Sequence, residues 1–599
     1  MKKRIAALLL VLCVLGAYAP ALRNGFVWDD QALILRDPLI RSWQLIGEGF
    51  THFLFTDAAS SDFYRPLQRL SYTLDYAAFF NSPIGYHLVS LLWHAAAAVA
   101  LFFLAEEFLA RWGMESRRRS WAAFGTALVW ALHPVQSAAV VYISGRADPL
   151  AAAFGFLGLY LGLRMLRAEG NQRWSFGIGA GVSFLASALS KEMGLIFLLV
   201  WLVIVLTQRP RQLLLGATCL IAGVLFAYLS LRFPAEHLPA PAAPPAPLLV
   251  RPILASRAVA EYGGLLVLPW RLHMEREVET RPSGMSPESM AAASGRELQT
   301  LLGLVLIAGA AVLIWRVRRH TAIFLPLLFA ILCYLPISGL ITLNATVAEH
   351  WLYLPSAFLF LGAAAGLASS GWMTEKNFRS RALTVCLTTW LLFLPVRTFL
   401  RTFDWKDQRT FLTRTIRDGG DSARMWINLG GLELTEGRLV AARQALHHAL
   451  AKDPGNSLAL LNLAAAVIKG GDFPGARIIL QRIKEPAELR ARAEESLAVL
   501  ENRESGRVDL MRLRLASRLG TPNWMIEKRY IKALADLNHP ERAITELKTC
   551  LAVAPYRAES WQMMSALLHR IGRPNEAALA LSVAEASDVH LSEREAVPL

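Results

Sequence analysis

Charged residues are scarce in this chain. Asp, Glu, Lys and Arg make up 18% of its 599 residues, against about 25% in a soluble globular protein. With 54% hydrophobic residues and a mean hydropathy of +0.36, that shortage excludes a wholly soluble chain and points to a polytopic membrane protein. Cysteine is sparse too. The five cysteines are scattered, and Cys13, Cys219, Cys333 and Cys386 fall inside apolar runs. That argues against a disulfide framework or a cysteine metal site and leaves packing as their role. Acidic residues number 47 against 62 basic ones, a net charge of +15. Such a charge usually suggests nucleic acid. Here the densest basic clusters, Arg117-Arg118-Arg119 and Arg316/Arg318/Arg319, lie in short loops between apolar runs, where the positive-inside rule puts them. No nucleic-acid partner is expected. Ionisable residues at the centres of the apolar runs, and inverted repeats between halves, are not found convincingly, which argues against a transporter.

What is present falls into two parts. Lys2-Lys3-Arg4, the apolar run Ile5 to Leu22 and Ala17-Tyr18-Ala19 also fit a cleavable signal peptide, but the dense membrane character that follows favours a retained first helix. At about 20 residues per crossing the chain accommodates about eleven spans up to about residue 400. With the N-terminus in the cytoplasm, alternation places the basic loops Arg111 to Arg119, Arg164 to Arg173, Gln208 to Arg211, Arg316 to His320 and Lys376 to Arg381 inside. In the 232–297 connection, Pro239 to Pro247 reads as a stiff linker, and the patch Val259 to Trp270 as a re-entrant or surface helix. No eukaryotic targeting feature is present, which suggests a bacterial inner membrane with the other loops facing the periplasm.

After Arg401 the pattern changes to pairs of amphipathic helices. Leu429-Gly430, Ala442 and Leu446 recur 34 residues later as Leu463-Ala464, Ala476 and Leu480, and Pro540, Ala543, Leu547 as Pro574, Ala577, Leu581. That period, with small residues where helices touch, is the tetratricopeptide signature; 485–520 is degenerate. The expected fold is all-α: a helical membrane domain over 1–400, a connector over 401–423 and a repeat solenoid over 424–590.

The outer loops concentrate chemistry. The first carries Asp29-Asp30 and Arg65, the second His133, Arg146 and Asp148, the third Lys191 and Glu192, the last Glu349 and His350. Ionised carboxylates are costly in hydrocarbon, so these belong at the membrane surface or in a hydrated cavity. A carboxylate there can act as a general base, and Lys and Arg can stabilise charge on a leaving phosphate. Asp29 or Asp30 is the candidate base or acceptor-binding acid. Arg146 and Lys191 are candidates for a donor phosphate, against simple pairing with Asp148 and Glu192. Arg65 is a candidate for phosphate or for fixing its loop, His133 for a helix end or substrate contact, and Glu349 and His350 for the mouth of a helix. No spacing specifies a metal strongly; Asp29-Asp30 could hold a divalent cation, and no other cofactor is indicated.

Taken together, FVWDD, YRPL, YHLVSLLWH, LHPVQSAAVVYISGRAD, SKE and AEHWLYLPS, in that order before tetratricopeptide repeats, resemble the transmembrane and tetratricopeptide-repeat-containing O-mannosyltransferases. His350 and Trp351 depart from the Arg and Tyr expected there. The resemblance implies a C-type (GT-C) glycosyltransferase fold, a polyprenyl-phosphate-linked sugar as donor, essential acids in the first outer loop, and transfer outside the cytoplasm. It implies mannose or another hexose moving to a hydroxyl of a protein, with a protein or glycan acceptor docked on the repeats. A glycan ligase or polymerase shares the donor chemistry, and a non-catalytic repeat scaffold explains the repeats alone.

Overall fold

The computed structural model describes residues 2–56, 61–207, 211–236, 247–278, 287–340, 343, 345–370 and 378–593. Most of the Pro/Ala linker, and parts of the loops expected at 208–211 and 376–381, lie outside the described residues. The described chain is helical apart from one small sheet. The first helix, α1 (Lys3–Tyr18), leads into an irregular segment containing α2 (Ile46–Thr51). Then follow α3 (Pro66–Phe79), α4 (Pro83–Arg111), α5 (Ser116–Leu132), the short α6 (Ser137–Val140), α7 (Ala147–Met165), α8 (Gly170–Ser190), α9 (Ile196–Leu206) and α10 (Arg211–Arg232). After the linker come α11 (Arg251–Val267), β1 (Glu275–Arg276), α12 (Pro287–Val317), α13 (Thr321–Tyr334), β2 (Val347–Ala348), α14 (Tyr353–Ser369) and α15 (Phe378–Thr402). Strands β1 and β2 pair antiparallel, Glu275 opposite Ala348.

Small residues let this bundle close. A side-chain carbon added at Gly155, Gly158 or Gly162 of α7 would meet Phe197, Phe184 or Trp201 at 2.1, 2.7 and 2.7 Å. Glycines at such spacing allow close approach between helices where lipid supplies no hydrophobic drive. Phe156, on the same helix, packs against Trp130, Phe197 and Phe358 at the centre of the core. By contrast, Leu301, Val305 and Val312 of α12 are more than half exposed, an outward apolar face suited to lipid.

Six of the described helices, rather than eleven, are long and apolar enough to cross a membrane: Lys3–Arg23, Pro83–Arg111, Leu214–Arg232, Ser294–Val317, Glu349–Ser369 and Arg381–Trp405. The physical reason is that apolar runs do not distinguish crossing from packing. Helices α9 and α13 are apolar but short and partly buried against neighbours, and α5 is short and opens on Ser-Arg-Arg-Arg. Helices α7 and α8 are diluted by glycine, serine and arginine. Residues 251–267 form α11, whose buried face includes Ala258, Tyr262 and Leu265 and packs with Val135 and Leu352. It is a helix packed on the domain.

The bundle has two chemically different ends. At one, Lys3 pairs with Glu106 at 2.9 Å, Arg119 with Glu106 at 3.5 Å and Arg167 with Glu107 at 2.8 Å. At the other, α4 and α7 begin and α5 and α8 end, bringing Tyr86, Asp148, His133 and Lys191 to the loops.

Beyond α15 come α16 (Gln408–Arg417), α17 (Ala423–Thr435), α18 (Leu439–Lys452), α19 (Ser457–Lys469), α20 (Phe473–Gln481), α21 (Ala487–Ser505), α22 (Leu510–Arg518), α23 (Trp524–Asp536), α24 (Pro540–Val553), α25 (Ala558–Arg570) and α26 (Pro574–Ser587). Side-chain caps start several of them, including Ser422 on Met425 N–H and Asn456 on Ala459 N–H, each satisfying a donor the helix start leaves open. The small residues of the 34-residue pattern sit between paired helices: Ala442 and Ala476 are fully buried, and Gly430 abuts Leu446. The degenerate stretch still forms a helix pair, α21 with α22.

Both ends of this solenoid rest on the first extramembrane segment. Just before its first helix, Gly25 N–H donates to the Lys406 carbonyl at 2.9 Å, and Asn24 Nδ2 donates to the Thr402 carbonyl at 2.9 Å. At its end, Val589 N–H donates to the Arg41 carbonyl at 3.0 Å, and Tyr76 Oη donates to Asp588 Oδ1 at 2.7 Å. The repeats therefore arch from one part of the 24–80 segment to another.

Candidate functional site

Asp29 and Asp30 are adjacent in sequence but not in environment. Trp28, before them, has a φ of 53°, a left-handed backbone that bulky residues seldom adopt. Asp30 turns inward and is fully buried. Its Oδ1 accepts from the Ser144 N–H at 2.8 Å and the Ser144 hydroxyl at 2.5 Å, and its Oδ2 from the Val27 N–H at 3.0 Å. These bonds tie the first loop to the second. Burial nevertheless outweighs them and pushes the Asp30 carboxyl up to about 7, because a charge with few solvent contacts is disfavoured. Asp29 stays half-buried. Burial raises it as well, while the Tyr142 hydroxyl, Arg424 and Arg65 oppose that rise.

The Asp30 shift makes a signed prediction. A carboxyl that holds its proton more tightly in the fold stabilises the fold fully below pH ~4, and this contribution is lost as pH rises toward 7. Asp30→Asn removes the titration. From pH 4 to 7 the parent should therefore lose thermal stability relative to this variant in detergent, with a ceiling on the order of 4 kcal/mol. A stability difference that does not change with pH would contradict the assignment.

Around Asp29 lies a chain of alternating charge. Arg65 Nε donates to Glu192 Oε2 at 2.9 Å, and the Tyr64 N–H donates to Glu192 Oε1 at 3.0 Å. The guanidinium also lies over the Phe63 ring at 4.6 Å. Among the described residues Arg65 makes a side-chain hydrogen bond through Nε alone, which leaves its two terminal nitrogens for a ligand. Lys191 Nζ donates to both oxygens of Asp148 at 2.7 Å, and both residues are buried. His350 lies within the field of Lys191 and Arg65, and its buried Nδ1 makes no hydrogen bond among the described residues. Glu349 turns the other way: Arg401 donates to its Oε2 at 3.3 Å, while its Oε1 makes no hydrogen bond among the described residues.

The cluster thus brings together Asp29, Arg65, Asp148, Lys191, Glu192 and His350. Besides Glu349, two expected residues stand apart from it. His133 is buried at the end of α5, where its Nε2 meets the Leu266 carbonyl at 3.0 Å and its Nδ1 accepts from Val135 N–H at 3.3 Å. Arg146 is fully buried and forms an ion pair with Asp75. Its guanidinium donates to Ser90 Oγ, Ser71 Oγ and the Tyr86 carbonyl. The pairing differs from that expected by proximity in sequence: Arg146 takes Asp75, Lys191 takes Asp148 and Glu192 takes Arg65. Each partner is set by which helix ends meet.

Four further residues contact residues 28–30. Ser144 holds Asp30, and the Tyr142 hydroxyl accepts from Asp29 N–H at 3.2 Å; both lie inside the second-loop motif, which was the available signal. Gln408 and Arg424 reach the first loop from α16 and α17 with no local signal at all. Among the described residues no group of three or more His, Cys, Asp or Glu side chains is arranged to hold a metal ion, and the Asp30 oxygens already take three donors. Apart from the cluster, a cavity of about 110 Å³ opens between the first extramembrane segment and the last repeats, with His52, Phe55, Glu236, Trp524, Glu527 and Ser560 among its walls.

Fold and site together define a helical membrane protein whose charged extramembrane cluster is spanned by a helical-repeat solenoid. Comparison with known proteins agrees in both parts. Tetratricopeptide-repeat family models match residues 408–456 and 433–500. A protein O-mannosyl-transferase of Caenorhabditis elegans is 24% identical over 459 residues, 75% of this chain and 62% of that protein. A second, from Mus musculus, is 24% identical and covers 70% of this chain and 48% of its own length. A third, from Drosophila melanogaster, is 26% identical over 74% and 61%. The chain spans about half to three fifths of the length of these relatives. Among solved structures, ArnT from Cupriavidus metallidurans bound to undecaprenyl phosphate aligns over 80% of this chain and 81% of its own, at 15% identity and a TM-score of 0.33.

Proposed function

We propose that the chain is a membrane glycosyltransferase that moves a hexosyl group, mannose or a close relative, from a polyprenyl-phosphate donor to a Ser or Thr hydroxyl of a protein. The observation that carries this reading is the half-buried Asp29 carboxylate within the field of Arg65, whose terminal nitrogens are not engaged by the described residues. The likeness to O-mannosyl-transferases supports the same chemistry.

In this reading Asp29 accepts the proton of the acceptor hydroxyl as its oxygen attacks the anomeric carbon. The bond from that carbon to the phosphate oxygen breaks, and the electron pair leaves on the polyprenyl phosphate. Arg65 and Lys191 stabilise the leaving phosphate, an effect that is larger where water is excluded. Asp30, saturated by Ser144 and Val27, holds the loop. The leaving group is already a phosphate, so no acid is required to protonate it. The acceptor polypeptide approaches along the repeats and the cavity beside Trp524. Positive charge at the Lys3, Arg119 and Arg167 end supports a cytoplasmic location for that end, with the acidic cluster facing the periplasm of a bacterial inner membrane.

Deleting the gene in its source and comparing envelope glycoproteins by mass spectrometry tests the assignment. Hexose should disappear from Ser/Thr peptides and return on complementation. Unchanged peptides with altered surface-glycan length would make the protein a ligase or polymerase instead. No change in either would leave a scaffold.

A further inference from the structure

The two aspartates follow a left-handed turn at Trp28, a strained backbone that persists where its surroundings over-determine it. Its surroundings come from α16 and α17, the first helices beyond the membrane domain. The Trp28 N–H donates to Gln408 Oε1 at 2.6 Å. The Trp28 ring meets the Phe411 ring edge to face at 5.3 Å, and the Arg424 guanidinium lies over it at 5.5 Å. Arg424 is itself anchored, since its Nε donates to Glu275 Oε1 at 2.9 Å and the two form an ion pair. The contact closes into a ring: Phe411 stacks on Trp405 at 4.7 Å, Trp405 stacks on Tyr142 at 5.6 Å, and the Tyr142 hydroxyl accepts from Asp29 N–H.

We propose that Gln408 and Arg424 are positioning residues for Asp29, so that the first helices of the repeat region complete the catalytic site. They hold Trp28 in the turn that leaves Asp29 facing Arg65 while Asp30 is committed to Ser144. This rests on the base role assigned to Asp29 above. A static acceptor-docking role for the repeats would need neither contact. Without the clasp the turn relaxes toward an ordinary backbone and the carboxylate moves, and a displacement of about 1 Å can cost about 10²-fold in rate. Arg424 has a second effect. The charged and titratable groups whose fields reach Asp29 are Tyr142, Arg424, Arg65 and Asp30. Loss of the Arg424 cation raises the pH at which Asp29 becomes a carboxylate.

The test uses the full-length protein in detergent, tritiated polyprenyl-phosphate mannose and a Ser/Thr peptide, with Asp29→Asn in parallel. Gln408→Leu should lower kcat by about 10²-fold while the donor KM changes little. Arg424→Gln should move the acid limb of the kcat/KM profile to higher pH, and Arg424→Lys should move it back. Arg118→Gln, in the basic first turn of α5 at the opposite end of the bundle and paired at the surface with Glu115, should match the parent. A purely structural role would lower folded yield without moving the acid limb. If Gln408→Leu does not fold, Gln408→Asn, whose shorter side chain withdraws from the Trp28 N–H, serves the same purpose. Folded variants with parental kcat and pH profile beside an inactive Asp29→Asn would overturn the clasp alone. An active Asp29→Asn would overturn the base assignment and the clasp with it.

Discussion

Asp29→Asn should lose roughly 10²-fold or more in turnover, the scale of a positioned general base, while yielding as much folded protein as the parent. The expectation follows from what each oxygen touches. The Asp30 oxygens are consumed by three donors from the fold, so its replacement perturbs the loop. Asp29 is half-buried, and its side chain meets the Tyr142 hydroxyl, a contact an amide can also make. Asparagine therefore keeps shape and contact and removes only the proton acceptor. If kcat falls with KM for the donor unchanged, the interaction lost belongs to the transition state. Parental kcat would return the role to Asp30 or to neither.

The largest stability effect should come from Arg146. Its guanidinium is fully buried, pairs with Asp75, and is bonded to Ser71, Ser90 and Tyr86, with the Tyr72 ring 4.9 Å away. Burial pushes the Asp75 carboxyl up to about 6, with Arg146 opposing that rise. Breaking such a pair from one side leaves an uncompensated charge and costs about 3–5 kcal/mol, whereas replacing both partners with apolar groups is often tolerated. Arg146→Met should sharply reduce folded protein, and adding Asp75→Leu should restore much of it. Activity per folded molecule should change little in the double variant. A double variant that is well folded but inactive would instead make Arg146 a donor-phosphate ligand.

These outcomes also mark what was legible in the sequence. The repeat period was legible because each unit must bury the same small residues, Ala442 and Ala476 among them, at a fixed spacing. The acidic and basic loops were legible because charge is excluded from the apolar runs that flank them. The pairing within them was not. Neighbours in sequence suggested Arg146 with Asp148 and Lys191 with Glu192, but α3 brings Asp75 to Arg146, and the end of α8 brings Lys191 to Asp148 at the start of α7. The span count failed for a related reason: a short helix packed inside the bundle, such as α9, is as apolar as one that crosses. The contact of Gln408 and Arg424 with the first loop joins residues some 380 positions apart, and nothing local encodes it.

The most direct measurement is transfer of tritiated mannose from polyprenyl phosphate to a Ser/Thr peptide by the purified full-length protein, run beside Asp29→Asn and a Ser/Thr-to-Ala peptide. The account predicts that label reaches the peptide hydroxyl only with the parent protein and the hydroxyl-bearing peptide. Equal transfer by Asp29→Asn, or label that passes to a sugar acceptor while the peptide stays unlabelled, would contradict it.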